Sequence, residues 1–424
     1  MELTRREWML AMGALPLELN ALEALGRRVG ARAEAPSPAP MPLAPPTLPD
    51  KASFPTLRGT YLNSSATHPR SAGSTDLVKK AAATIAGEPD GFRPSEERVR
   101  QAFAKLMNVS AEEIAFMPST SIGEAFVAAA LGVYEKGTHV VSDWLHFVGS
   151  QQMYTDLSKK GLDVTWVKMK DNAISLDDLD RAIVKGKTRL VAVSATSFVN
   201  GFQHDLKRVS EIAHAKGAMV YADIIQSAGN VPLDLGASGV DAACCASYKW
   251  LMSSGTAFLY VRKPSMDRMR PPFVHWSQFT TLPTTHMYPF DTPATDIVDH
   301  YVPKAGAAGM FSMGYEPNPI TLAGLEYSLP YITGIGVDQI QAHARPLIDR
   351  LKAELPKRGF PLITPVEARS PIVTAALKDA EKYQQVFTAA NVRVTLRWNH
   401  IRIGTSVFND MEDVEKLLAT LPKV

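Results

Sequence analysis

"AMVYADIIQSAGNVPLDLGASGVDAACCASYKWL" runs from Ala218 to Leu251, and its reading decides the fold. Ala218 to Ala222 is a short apolar run that ends on Asp223. Val240 to Ala246 is a second run, made of small residues apart from Val240 and Asp241. Runs of this length bounded by turn residues read as strands buried on both faces. Asp223 and Lys249 then stand at the C-terminal ends of successive strands, with Gln226 one turn beyond Asp223. Taken singly, a strand-end Asp is a cap or turn residue and a Lys snorkels to solvent. Two opposite charges at one buried sheet edge are harder to dismiss.

The same alternation extends outward from this stretch. "EIAFM" precedes a helical stretch from Ile122, "HVVS" one near Gln151, "VTWV" precedes "SLDDLDRAIVK", and "RLVAVSA" precedes "LKRVSEIAHAKG". Repeated βα units predict an α/β fold, a mostly parallel sheet with helices on both faces, which binds ligands at the carboxyl ends of its strands. After Arg262 the pattern breaks into "RPPFVHWSQFTTLPTTHMYPF", a loop rich in proline and aromatics. A long helix near Asp338 to Leu355 and an α+β tail follow.

Bulk properties exclude several classes. The 424 residues are 46% hydrophobic and 21% charged, enough for a large core and two domains. A net charge of +2 gives no electrostatic case for nucleic acid, and no apolar stretch is long enough for a membrane span. The two cysteines, Cys244 and Cys245, are adjacent on a strand and read as small core residues rather than a disulfide or metal site. At the N-terminus, "TRREWMLAMGALPL" (Thr4–Leu17) sets an arginine pair before a short apolar run, and "ARAEA" (Ala31–Ala35) offers small residues for cleavage. This resembles a twin-arginine export signal leading to the periplasm. Glu18 and Glu23 interrupt the run, so an amphipathic helix of a cytoplasmic protein is the alternative. Residues 1–50 end in a proline-rich connector, "APSPAPMPLAPPTLP".

A lysine and a carboxylate at adjacent strand ends are what pyridoxal 5'-phosphate requires: the lysine carries the cofactor as a Schiff base and the carboxylate keeps the pyridine nitrogen protonated. From about Tyr61 to Leu421, and most specifically over Val199–Leu251, the chain resembles the fold-type I pyridoxal phosphate enzymes of the class V aminotransferase group, which includes isopenicillin N epimerase, kynureninase and the cysteine desulfurases. The resemblance implies a seven-stranded, mostly parallel sheet in a large domain (76–305) and a smaller α+β C-terminal domain (306–424). It also implies an N-terminal segment (51–75) over the pocket.

Carried onto positions, the resemblance makes Lys249 the Schiff-base lysine, Asp223 the partner of the pyridine nitrogen and Gln226 the donor to the cofactor's phenolic oxygen. His146 in "SDWLHFVGS" matches the residue that stacks on the ring. Thr120 and Ser121 in "FMPSTSIGEA" fall at a helix N-terminus suited to phosphate, which plain capping by either of them would not oppose. Ser247 matches a further phosphate contact. Arg402 in "HIRIGTSVFNDMEDVEKLL" matches the arginine that takes the substrate α-carboxylate, and Asn63 in "YLNSSATHP" falls in the segment over the pocket.

There are departures. Tyr248 stands where relatives carry a histidine, and Gly314-Tyr315 stands where relatives carry a Gly-Thr whose threonine reaches the neighbouring subunit's phosphate. "TAANVRVTLRWNH" lacks the mobile cysteine of a cysteine desulfurase, so persulfide chemistry is excluded. The implied activity is formation of an aldimine with an α-amino acid and deprotonation of Cα, in an aminotransferase or epimerase. A β-eliminating C–S lyase and a non-catalytic pyridoxal phosphate-binding relative are the alternatives. A homodimer is expected from the resemblance and from the aromatic loop Phe273–Phe290.

Overall fold

The structure is a computed structural model and describes residues 45–88, 91–281 and 301–421. The two readings of the N-terminal segment, and the aromatic loop beyond Thr281, lie outside the described residues. No helix among the described residues is long and apolar enough to cross a membrane.

Seven strands form the main sheet: β1 (Ile114–Met117), β2 (His139–Asp143), β3 (Asp163–Val167), β4 (Thr188–Ser194), β5 (Met219–Asp223), β6 (Ala242–Ala246) and β7 (Ala257–Val261), in the order β1-β7-β6-β5-β4-β2-β3. The pairs from β6 through β3 are parallel; β7 runs antiparallel to both β1 and β6. The expected α/β fold is therefore present. All the strands except β3, at one edge, are buried throughout or nearly so, which is why they read as apolar runs without alternation. Register places Ser194 beside Asp223 and Asp223 beside Cys244, so the ends of β4, β5 and β6 form one edge.

Helix α1 (Thr120–Ala130) lies directly on β6. A Cβ at Gly123 would sit 2.5 Å from Cys244 Sγ, so only glycine permits this approach. The cap of α1 is Ser119, whose Oγ accepts from Ile122 N at 3.2 Å, rather than Thr120 or Ser121. Thr120 instead uses its Oγ1 to accept from Ala246 N at 2.9 Å, tying the helix start to the end of β6.

A second sheet of β8 (Ile372–Ala376), β9 (Thr395–Arg397) and β10 (His400–Gly404) is antiparallel, in the order β8-β10-β9. Side chains alternate between its faces. Val373, Ala375, Leu396, Ile401 and Ile403 pack in a separate core with residues of α3 (Val337–Lys357) and α4 (Met411–Thr420). Thr374, Thr395, Arg397, His400 and Arg402 occupy the other face. The buried apolar residues from Ala307 to Ile340, including those of α2 (Pro319–Ile335), belong to the first core except for Ala323, which packs with Ala81 and Phe92. Packing passes to the second core inside α3, after Ile340 and by Leu347.

The segment around Asn63 bridges the two parts. Asn63 pairs with Gly404, and a Cβ at Gly404 would come within 2.8 Å of Ser65 N. Leu62 is buried in the second core, while Ser65 O accepts from Gln226 Nε2 at 2.9 Å.

Candidate active site

Asp223 closes β5 and Lys249 follows β6, as the buried runs before them dictate, and both are buried. Burial lowers the Lys249 ammonium pKa to about 8; the Asp223 carboxylate opposes that shift and the Arg402 guanidinium adds to it. Lys249 Nζ lies 5.8 Å from the Tyr248 ring centroid and donates no hydrogen bond among the described residues. Asp223 Oδ1 accepts from Ile225 N at 2.9 Å. Burial raises the Asp223 pKa, against the pull of His146, the Ile225 N–H and Lys249.

Behind this pair lies a group that the sequence reading missed. Glu124, buried on α1, accepts from Ser150 Oγ at 2.5 Å and pairs with His146 Nε2 at 3.0 Å. His146 Nδ1 is 2.9 Å from Ser194 Oγ, and His146 has no accessible surface. Burial alone would lower the His146 pKa, yet the charge and hydrogen bond of Glu124, with Asp143 and Asp223 adding, raise it above its ordinary 6.5. Next to Ser194, His204 Nδ1 donates to the Ser194 carbonyl at 2.9 Å, and His204 Nε2 lies 3.3 Å from Asp143 Oδ2. The sequence signal for Glu124 was a single charge in the otherwise uncharged "TSIGEAFVAAA".

Arg402 lies within electrostatic reach of Lys249 and Tyr248. Its Nη1 donates to Phe198 O at 2.9 Å and its Nη2 to Thr395 Oγ1 at 3.4 Å, while Nε is buried without a partner. Thr395 Oγ1 in turn donates to Asn63 Oδ1 at 2.6 Å, which links Asn63 to the guanidinium through Thr395. Burial, and then the charge of Arg397, lower the Arg402 pKa to about 10.

Several expected contacts differ. Ser247 is fully buried and donates its only hydroxyl hydrogen to Thr256 O at 2.9 Å, so that hydrogen is not offered to a phosphate. Gln226 accepts from Trp250 Nε1 at 2.9 Å and gives one amide hydrogen to Ser65, leaving only its second hydrogen for a ligand. His146 presents no free ring face; its place in the structure is the pair with Glu124. Tyr315 donates its hydroxyl to Gly255 O of its own chain. Thr120 keeps its hydroxyl hydrogen, and Ser121 is exposed beside it at the start of α1.

The donor set fits pyridoxal phosphate: an amine with no hydrogen bond, a buried carboxylate bonded through one oxygen, and hydroxyls at a helix N-terminus. No group of His, Cys, Asp or Glu among the described residues is arranged to hold a metal ion.

Comparison with known proteins accords with this geometry. The family description Aminotransferase class-V matches residues 92–417. An uncharacterized aminotransferase of Bacillus subtilis is 30% identical over 190 residues, 42% of this chain and 48% of that protein. A probable cysteine desulfurase of Halalkalibacterium halodurans is 25% identical over 357 residues, 79% of this chain and 82% of that protein. The apo structure of a cysteine desulfurase from Thermococcus onnurineus shares the fold, with a TM-score of 0.73 at 19% identity over 89% of this chain and 98% of that one.

Proposed function

The chain belongs to the class V aminotransferase family, whose cofactor is pyridoxal 5'-phosphate, and on that premise we propose that it binds an α-amino acid and removes the proton from Cα, in transamination or epimerisation. The observation that carries this reading is the buried Arg402 guanidinium, its Nε unpartnered, within electrostatic reach of Lys249. A guanidinium offers a carboxylate parallel hydrogen bonds, and a buried one without an anion favours a ligand that brings the charge.

The cofactor supplies an electron sink for the pair left at Cα. Asp223 would hold its pyridine nitrogen, Lys249 would carry it, and Thr120 and Ser121 would take its phosphate. When free of the cofactor, the Lys249 amine, whose ammonium pKa burial lowers to about 8, is the group that would take the Cα proton. Arg402 orients the α-carboxylate, and Thr395 with Asn63 steadies that guanidinium.

A β-eliminating lyase is the second reading, supported by the likeness to cysteine desulfurases. A persulfide carrier is not part of it, because Cys244 and Cys245 are both buried and burial raises their thiol pKa values. Mass spectrometry of products from a panel of D- and L-amino acids separates the readings: a 2-oxo acid without a released β-substituent, or inversion at Cα, favours the first.

Arg402→Ala is expected to retain cofactor colour but to bind amino acids about ten- to a hundredfold more weakly, the loss of one charge-assisted interaction. Titration with amino acids measures this, and unchanged affinity would remove Arg402 from the binding role.

We also propose a homodimer. Val274 is 79% and Trp276 70% exposed at the start of the aromatic loop, more apolar surface than an isolated chain ordinarily leaves in water. Light scattering should give twice the chain mass; a monomeric mass with cofactor bound would count against it.

A further inference from the structure

The polar face of the β8-β10-β9 sheet carries more positive charge than one α-carboxylate uses. Arg402 stands opposite Thr395, and the next pair on the same face is Arg397 opposite His400. Two residues of strand separate these pairs, roughly 6.7 Å. Arg397 is exposed, and its side chain makes no hydrogen bond or ion pair among the described residues. Its charge acts directly on Arg402, where like charges repel. His400 adds no balancing anion: burial, and then Arg402, lower its pKa and keep it neutral. Glu381, whose carboxylate also acts on His400, is committed to the hairpin turn, where it accepts from Trp398 N.

We infer that the preferred substrate is an amino acid with a second carboxylate on its side chain, of about the reach of aspartate or glutamate, and that Arg397 is the residue that selects it. This rests on the reading that Arg402 takes the α-carboxylate. The guanidinium of Arg402 already spends donors on Phe198 O and Thr395 Oγ1, and its free Nε side suits one carboxylate. Arg397, one pair nearer the hairpin turn, stands roughly 6.7 Å along the same face, within reach of the side-chain carboxylate of a substrate so held. An anion there relieves the repulsion between the two arginines as well as pairing with Arg397, so the acidic amino acid gains twice over its amide. The selection is one of charge, because an amide of the same shape fits the same space.

The test is calorimetric binding to the holoenzyme of L-glutamate against L-glutamine and of L-aspartate against L-asparagine, for the wild type, Arg397→Met and Arg397→Lys. In the wild type at least one acid should bind about tenfold or more tightly than its amide. In Arg397→Met that ratio should fall to near one while amide affinity stays within about twofold, and Arg397→Lys should restore part of the ratio. Because Arg397 is exposed, the Arg397→Met variant should keep the wild-type melting temperature. Equal binding of acid and amide by the wild type overturns the inference. So does an equal weakening of acid and amide in Arg397→Met, which would mean that both arginines share one carboxylate. Failure of the wild type to bind any amino acid overturns the Arg402 reading and this inference together, whereas acid-amide equality with tight binding overturns this inference alone.

Discussion

Lys249→Ala is expected to leave a folded protein that no longer holds pyridoxal phosphate covalently and whose turnover falls by at least the 10²–10⁴-fold typical of a lost proton-transfer group. Borohydride reduction followed by peptide mapping should label Lys249 in the wild type and nothing in the variant. A label on any other lysine would displace Lys249 from its role. The lowered pKa makes the result pH-dependent in a stated direction. The free amine is the nucleophile, so attachment of cofactor to wild-type apoprotein should accelerate as pH rises through about 8 and level off above it. A rate still climbing steeply near pH 10 would mean that the site does not depress this amine.

Glu124→Ala should have the largest effect on stability. The pair with His146 is wholly buried, and removing one member of such a pair leaves the other charged and unmatched, at a cost of roughly 3–5 kcal/mol. Denaturant unfolding reads this directly, and Glu124→Leu combined with His146→Phe should recover most of the loss because neither charge then remains buried. The sign with pH follows from His146, whose folded pKa is raised above its unfolded value. Its contribution is complete below about 6.5 and is lost as pH rises through the raised value. Glu124→Gln should remove that decline. An Ala variant as stable as the wild type, with the same pH profile, would show that His146 is neutral and the pair carries no charge.

Much of the catalytic edge was legible from residue order. Asp223 and Lys249 each end a run of residues too apolar for a surface, and a parallel sheet brings successive strand ends together, so their proximity follows from pattern and connectivity alone. Arg402 was legible only through resemblance. Ser247, Gln226 and His146 were expected to contact a ligand, yet Ser247 donates to Thr256, Gln226 is engaged by Ser65 and Trp250 except for one amide hydrogen, and His146 is paired with Glu124 and Ser194. Which hydrogen goes where depends on neighbours distant in sequence, and no local pattern encodes that.

By itself, the sequence determined the periods: uninterrupted apolar runs for strands covered on both faces, strict alternation in "VRVTLR" for a sheet with one polar face, and glycine at 123 where a helix touches a strand. Only the tertiary structure decided which charges meet. Glu124 and His146 are 22 residues apart and Thr395 reaches Asn63 across 332. Arg397 joins Arg402 only because a hairpin folds them onto one face. Hydrophobic burial is a property of each residue's own side chain and shows in its local period, whereas a buried charge is tolerable only beside its partner, and the partner is chosen by the fold.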